Sequence, residues 1–330
     1  MAVTQISDII VPSAFTSYTQ LITQEKTKLL QSGAVSRDPM LDAFLAGGGN
    51  IETMPAFNDL SYSASNVSSD TGADSTPDKI GSIQQIVHRL SRNKSWATAD
   101  LAGDLAGADP MGAIVARAGT YWARELQRML MATLKGVTLA NVAANGSDST
   151  LDIKGAAYVA GTTNFQGEVF LDALSLKGDS FGEMGTLVVH SRVYFRMLKE
   201  DLITFMQDST QNTSIPTYMG LRVVYDDGVF NASGVYHSYV LGNGSIRLGL
   251  GTPKVPTEVF RNPAAYNGGG LETLFNRNEF AIAPLGYTYA GSFSGGGASN
   301  TTLETAGSWT RVYPETKQVP MVTIITREHA

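Results

Sequence analysis

The sequence predicts an α+β fold, and three observations carry that reading. One stretch, 109–136, holds an uninterrupted helical pattern. Short runs rich in β-branched residues, such as Thr186-Leu-Val-Val-His190, read as buried strands. Between these elements lie long stretches crowded with Ser, Thr, Asn and Gly, the material of loops and exposed tips. The chain has 330 residues, 43% hydrophobic and 16% charged, which is enough apolar material for a core and too little charge for a largely disordered protein. That length allows about two or three domains or lobes.

Composition also excludes several roles. A net charge of −6 disfavours a dedicated sequence-reading nucleic-acid binder, which carries a strong basic patch; it does not exclude a wall that lies near nucleic acid. There is no cysteine, so neither disulfides nor thiolate metal sites can form. Residues 1–8 lack a basic segment followed by an apolar run and are no signal peptide. No stretch of about twenty apolar residues offers a membrane span. The expectation is a soluble chain made and used in a cytosol.

Taken in order, residues 1 to about 45 read as an arm. Ile6, Ile9, Ile10 and Val11 form a short apolar run closed by Pro12. Ser13 can cap a following amphipathic segment in which Phe15, Tyr18, Leu21, Ile22, Leu29 and Leu30 recur at helical spacing. A second short helix is expected over 36–45, before Gly47-Gly-Gly49. From Ile51 the pattern changes: a strand begins, 62–79 is dominated by Ser, Asp, Thr and Ala, and alternation returns from Gly81 to Leu90. This reads as two strands joined by a long polar tip, a projecting β-ribbon. A short helix or turn over 95–107 leads to the long helix. There Asp109 suits the N-cap, Pro110 the first position, and Gly136 a left-handed stop. Met111, Val115, Ala118, Trp122, Leu126 and Met129 share one face, with Arg117, Arg124 and Arg128 on a more polar one. At about 1.5 Å per residue the rod spans roughly 40 Å, with 137–144 as an extension beyond a kink.

Beyond it, helices are expected over 172–181 and 191–206, and a polar loop over 207–216. Strand and turn are expected over 148–155 and strands over 186–190, 221–225, 236–241 and 245–250, with 257–261, 271–277 and 279–283 continuing this α+β lobe. Asp226-Asp-Gly228 and Gly242-Asn-Gly244 are strong turn signals. The Gly/Ser-rich stretch 292–308 reads as loop, and 309–313 with 318–327 as a closing strand pair.

No catalytic constellation emerges. His88, His190, His237 and His329 are scattered without metal-ligand spacing. His190 follows a strand and precedes a helix, where enzymes do place catalytic groups, but with no nameable partner a capping or packing role is favoured. Asp226 and Asp227 are more cheaply explained as a turn than as a metal pair. The stretch 242–249 lacks the spacing of a phosphate loop. Arg89, Arg92 and Lys94 form a small basic cluster at the ribbon's base, by default a solvated face and in the sharper reading a seat for a partner's carboxylates or phosphates. The positive signal is architectural: an apolar arm, a ribbon, a rod, and a lobe inserted before a final strand.

In order and spacing the chain resembles the major capsid proteins of tailed bacteriophages, in their coat-protein-like branch. The residues that carry this are Ile6-Ser-Asp-Ile-Ile-Val-Pro12, Ser32-Gly33, Met54-Pro-Ala-Phe-Asn-Asp-Leu60, Asp100 to Met111 and Tyr121-Trp-Ala-Arg124. Val189-His-Ser-Arg-Val-Tyr194, Pro216 to Gly228, Pro256-Thr-Glu258 with Arg261, Pro284-Leu-Gly286, and Trp309-Thr-Arg-Val-Tyr313 with Lys317 complete the set. The resemblance implies the tailed-phage major capsid fold (HK-ninety-seven type), shared with encapsulins. It divides this chain into an N-terminal arm (1–49), an extended loop (50–96), a peripheral domain (97–159) with a spine helix (109–136), an axial domain (160–300) and a return to the peripheral domain (301–330). It implies a structural, non-enzymatic subunit with no cofactor, metal or catalytic residues, assembling with itself into pentamers and hexamers of an icosahedral head around double-stranded DNA. Scaffolding and portal proteins are the further partners implied, with a decoration protein optional, DNA contacted non-specifically at most, and no membrane. A separately encoded scaffold is expected, because the chain begins directly with the arm. Lys79 lies about where one branch places a crosslinking lysine, but most relatives do not crosslink. An encapsulin-like compartment that houses cargo enzymes is the alternative, and a hydrolase centred on His190 a remoter one. The implied location is the virion, after assembly in the host cytoplasm.

Overall fold

The computed structural model describes residues 29–60, 64–68, 70, 74–107, 109–207, 214–292 and 295–329. The apolar run at 6–11 and most of the amphipathic segment from Ser13 lie outside them. β1 (Val35–Arg37) leads into α1 (Pro39–Gly47), where the Asp38 side chain accepts from the Met40 N–H and Pro39 takes the first turn. β2 (Ile51–Phe57) and β3 (Ser82–Ala99) pair antiparallel from Ile51↔His88 to Phe57↔Ser82, so the expected ribbon is present. β3 does not stop at Leu90. It continues through the expected turn at 95, because β13 pairs with it as far as Ala99; helix begins only at α2 (Asp100–Ala106).

α3 (Pro110–Ala144) starts where the sequence places it, with the Asp109 carboxylate accepting from the Gly112 N–H at 3.0 Å. It does not end at Gly136. That glycine is there for closeness: a Cβ would stand 2.0 Å from the Leu303 carbonyl oxygen and 2.6 Å from Trp309 Nε1. β4 (Thr150–Asp152) follows, then α4 (Gly167–Ser175), β5 (Met184–Val189) and α5 (Ser191–Lys199). Both helices are displaced from expectation. α4 lies earlier than 172–181, whose latter part is a 3-10 turn over Gly178–Glu183. α5 stops seven residues short of Met206 (206 − 199), since Asp201 adopts φ 51° and the chain returns as β6 (Thr204–Gln207) and β7 (Ser214–Tyr218). The two ends of the expected polar loop are strand, β6 pairing antiparallel with β7 from Thr204↔Thr217 to Gln207↔Ser214; 208–213 lie outside the described residues. β8 (Leu221–Tyr225), β9 (Asn231–Ala232), β10 (Val235–Gly242), β11 (Ile246–Gly251) and β12 (Thr257–Asn262) precede β13 (Leu271–Pro284), one long strand that runs through both 271–277 and 279–283. β14 (Tyr287–Tyr289), β15 (Trp309–Arg311) and β16 (Met321–Arg327) complete the chain, and the stretch read as loop contains a helical turn at Asn300–Leu303.

Two large sheets result. One has the order β1-β11-β13-β3-β2 with β12 also on β13; the other runs β4-β16-β10-β5-β8-β7-β6 with β9 on β10. The last two strands therefore do not pair with each other. β15 joins β14, and β16 lies between β10 and β4, its residues buried on both faces. Nor do residues 160–300 form one sheet: the turn at Gly242–Gly244 sends β11, β12 and β13 to the sheet of the ribbon.

Alternation along the strands explains the layering. Leu187, Val189, Val223, Val240, Val322 and Ile324 point to the side where α4 and α5 bury Phe170, Ala173, Val193 and Met197. Their neighbours Val188, Val224, Tyr239, Leu241 and Met321 point the other way, onto Met129, Leu130, Leu134 and Val137 of α3. The same α3 residues meet Leu90, Ile246, Leu248, Phe280 and Ile282 of the ribbon's sheet. α1 closes that sheet's far side with Leu41, Phe44 and Leu45. The order of layers is α1, sheet, α3, sheet, α4 with α5.

Candidate assembly surfaces

The histidines, Asp226, Arg89 and Arg92, singled out for chemistry, are held in structural contacts. His190 is the N-cap of α5: its Nδ1 accepts from the Arg192 N–H at 3.1 Å, and Nε2 lies 3.0 Å from the Asn231 amide. Asp227 stands at 3.9 Å, yet burial outweighs it and holds the imidazole below its ordinary range. Ser191 Oγ is 3.5 Å from the same Nδ1 that the Arg192 N–H occupies, so that nitrogen is already engaged as an acceptor. His88 is buried in a stack on Tyr289, ring centroids 3.9 Å apart, and burial pushes it down to about 4. His237 sits between Phe230 and Tyr239 and is pushed down to about 4 for the same reason. His329 packs edge-on to Tyr158.

Asp226 makes the expected turn, one carboxylate oxygen accepting the Gly228 N–H at 2.7 Å. The other accepts from Gln127 of α3 at 2.5 Å, a contact between residues 99 positions apart that no local pattern signals. The basic cluster at the ribbon's base is not a single solvated face. Arg89 pairs with Glu279 at 3.2 Å and donates to the carbonyls of Phe44 and Leu45; Arg92 donates to the Ala298 carbonyl and to Asn300. Lys94 is exposed, as is Lys79 just before β3. Among the described residues no group of three or more His, Asp or Glu is placed to hold a metal, and no helix is long and apolar enough to cross a membrane.

What the chain does present is unpartnered surface. Phe57 at the end of β2 is 76% exposed and Val67 on the ribbon's tip 93%. The edge strand β12 is exposed along nearly its whole length, with Phe260 at 56%. The first turns of α3 leave Val115 and Arg117 in solvent, whereas from Leu126 onward the helix is buried almost all round. An open acidic hollow of about 670 Å³ lies between α2, the start of α3 and β13, with Asp100, Asp104, Asp109 and Glu272 on its walls and Arg261 bonded to Asp100. Apolar side chains held out on a ribbon and along a free sheet edge are costly alone in water and productive when another chain covers them.

No family model matches the chain. It is 35% identical over 325 residues, 96% of each chain, to the major capsid protein of Bacillus phage SPP1. In structure it is similar to the capsid of Ralstonia phage GP4 (TM-score 0.63, 11% identity, 97% of this chain and 96% of that one). It is likewise similar to the capsid asymmetric unit of cyanophage Pam1 (TM-score 0.58, 12% identity, 96% of both). The fold is that of a shell-forming subunit of the tailed-phage capsid type. The chain belongs to the major capsid proteins of tailed bacteriophages, and it is a structural protein of the virion shell that assembles with copies of itself.

Proposed function

We propose that this chain forms pentamers and hexamers that close an icosahedral head around double-stranded DNA. The observation that carries this reading is the likeness to the SPP1 major capsid protein along 96% of both chains. The exposed β2–β3 ribbon supports it, as an element with more apolar surface than its own subunit covers. On this reading the ribbon, residues 50–96, reaches onto a neighbour. The sheet of the ribbon with α3 forms the peripheral body, and the eight-stranded sheet with α4 and α5 forms the axial one. β11 to β13 then belong to the peripheral body, a revision of the sequence-based division. Contacts between different patches generate rings, and each can be modest because every subunit makes several. Scaffolding and portal proteins are the partners this role calls for, and assembly takes place in the host cytoplasm.

Electron microscopy of the chain expressed with its genetic neighbours should show closed shells. Deleting residues 64–76 should leave the monomer's melting transition within a few degrees of the parent and abolish shells. Normal shells from that deletion would remove the ribbon from the assembly mechanism.

A further inference from the structure

α4 and α5 bury one face each against the eight-stranded sheet and leave the other bare. On α4 the exposed residues Glu168, Leu171 and Asp172 recur at helical spacing; on α5 so do Arg192, Phe195 and Lys199. Leu171 is 52% and Phe195 60% exposed. One bare face is thus acidic around a leucine, and the other basic around a phenylalanine. The helix dipole accounts for Glu168 in the first turn of α4 and Lys199 in the last turn of α5. It does not account for Asp172 in mid-helix, and it opposes Arg192, a cation in the first turn of α5. The ion pairs of this layer, Arg196–Glu200 and Asp179–Lys317, use other residues.

We propose that these faces are the two halves of one contact between copies of this chain. α4 of one copy lies against α5 of the next, with Leu171 and Phe195 at the centre. Glu168 and Asp172 face Arg192 and Lys199 around them, an apolar centre within a charged rim. The halves differ, so the contact is heterologous and repeats from copy to copy until a ring closes. Like faces repel, which fixes the direction of growth. This inference rests on the shell reading above and names the chemistry of one of its interfaces.

Charge reversal tests it. The variant Glu168→Lys/Asp172→Lys has two basic faces, and Arg192→Glu/Lys199→Glu two acidic ones. Each should lose more than about tenfold of its assembled fraction by light scattering and electron microscopy. Combining all four substitutions in one chain should restore assembly. Thermal melting of the unassembled chains, unchanged from the parent, separates lost contact from lost folding. Reversed variants that assemble like the parent, or a combined variant that melts normally and stays unassembled, would overturn the proposal. Should the parent itself form no shells, the shell reading fails separately. Mixing the two reversed variants then decides the contact alone: they should associate with each other and not with themselves, and absence of mixed oligomers ends the proposal.

Discussion

Glu328 shows how much a single buried carboxyl can do in this subunit. It follows β16, is largely buried, and accepts the Phe165 N–H at 2.8 Å. Burial dominates the help from that amide and from Arg196 and raises the carboxyl from 4.5 to about 7. The folded chain therefore holds a proton that the unfolded chain has released. Stability from this group is full below about pH 4.5 and is lost as pH rises toward 7. His88 and His237 act in the opposite sense: their folded values near 4 against 6.5 unfolded mean stability that is present above pH 6.5 and lost as pH falls through 4. Glu328→Gln should thus flatten the decline in melting temperature between pH 5 and 7.5 and leave the acid limb unchanged; parallel curves for variant and parent would refute the assignment. Little of this was legible in the sequence. His190 could be read as a cap because its neighbours are local, a strand before it and a helix after. The burial of Glu328 depends on Phe165, far away in the chain.

At the scale of elements, α3 shows where local signals suffice and where they stop. Asp109 and Pro110 announce the helix start through contacts within one turn, and the structure keeps that start. Gly136 carries the same local signal as a helix stop, but its neighbours are the Leu303 carbonyl and the Trp309 indole, whose Nε1 donates to that carbonyl at 2.8 Å. Only the tertiary fold says which role the glycine plays. Gly119 is the contrasting case, exposed and with open space where a Cβ would go. Gly119→Ala should stabilise the isolated chain by up to about 1 kcal/mol, through helix propensity alone. Gly136→Ala should destabilise it by about 1–3 kcal/mol, because backbone and indole must both shift. Chemical denaturation of both variants checks the pair; a neutral Gly136→Ala would mean that α3 and the 303–309 segment are not in close contact. The one-sided burial read from Met111, Val115, Ala118 and Trp122 holds only in part for the exposed half of the helix, where Val115 stands 55% exposed. It fails for the second half, since periodicity within one segment cannot reveal that sheets press on it from two sides.

Across the whole molecule, the question is what ties α3 and the β15 segment to the eight-stranded sheet besides apolar packing. A polar hub lies where they meet. Asp148 accepts from Asn141 of α3 at 2.7 Å, from Arg311 at the end of β15, and from Thr316 at 2.7 Å. Lys177, fully buried after α4, donates to Ser149 Oγ and the Thr316 carbonyl, each at 2.9 Å, and burial pushes its amine down to about 8. The hub thus ties α3, β4, α4 and the β15 segment together, which the sequence shows only as polar residues scattered over separate elements. The two charges within it should not be equally important. Asp148 is the acceptor on which three donors converge, so Asp148→Ala strands Arg311 and Asn141 and should cost about 2–3 kcal/mol. Lys177→Met replaces a buried cation by an apolar side chain of similar length, removing a desolvation cost together with two hydrogen bonds, and should change stability by less than about 1 kcal/mol. Denaturant unfolding of the unassembled chain gives both values. If Lys177→Met proved the more damaging of the two, the buried amine rather than the carboxylate would be the centre of the hub. The layers would then be held together at α4, beside the face that meets the next copy, and loss of Lys177 should also weaken assembly.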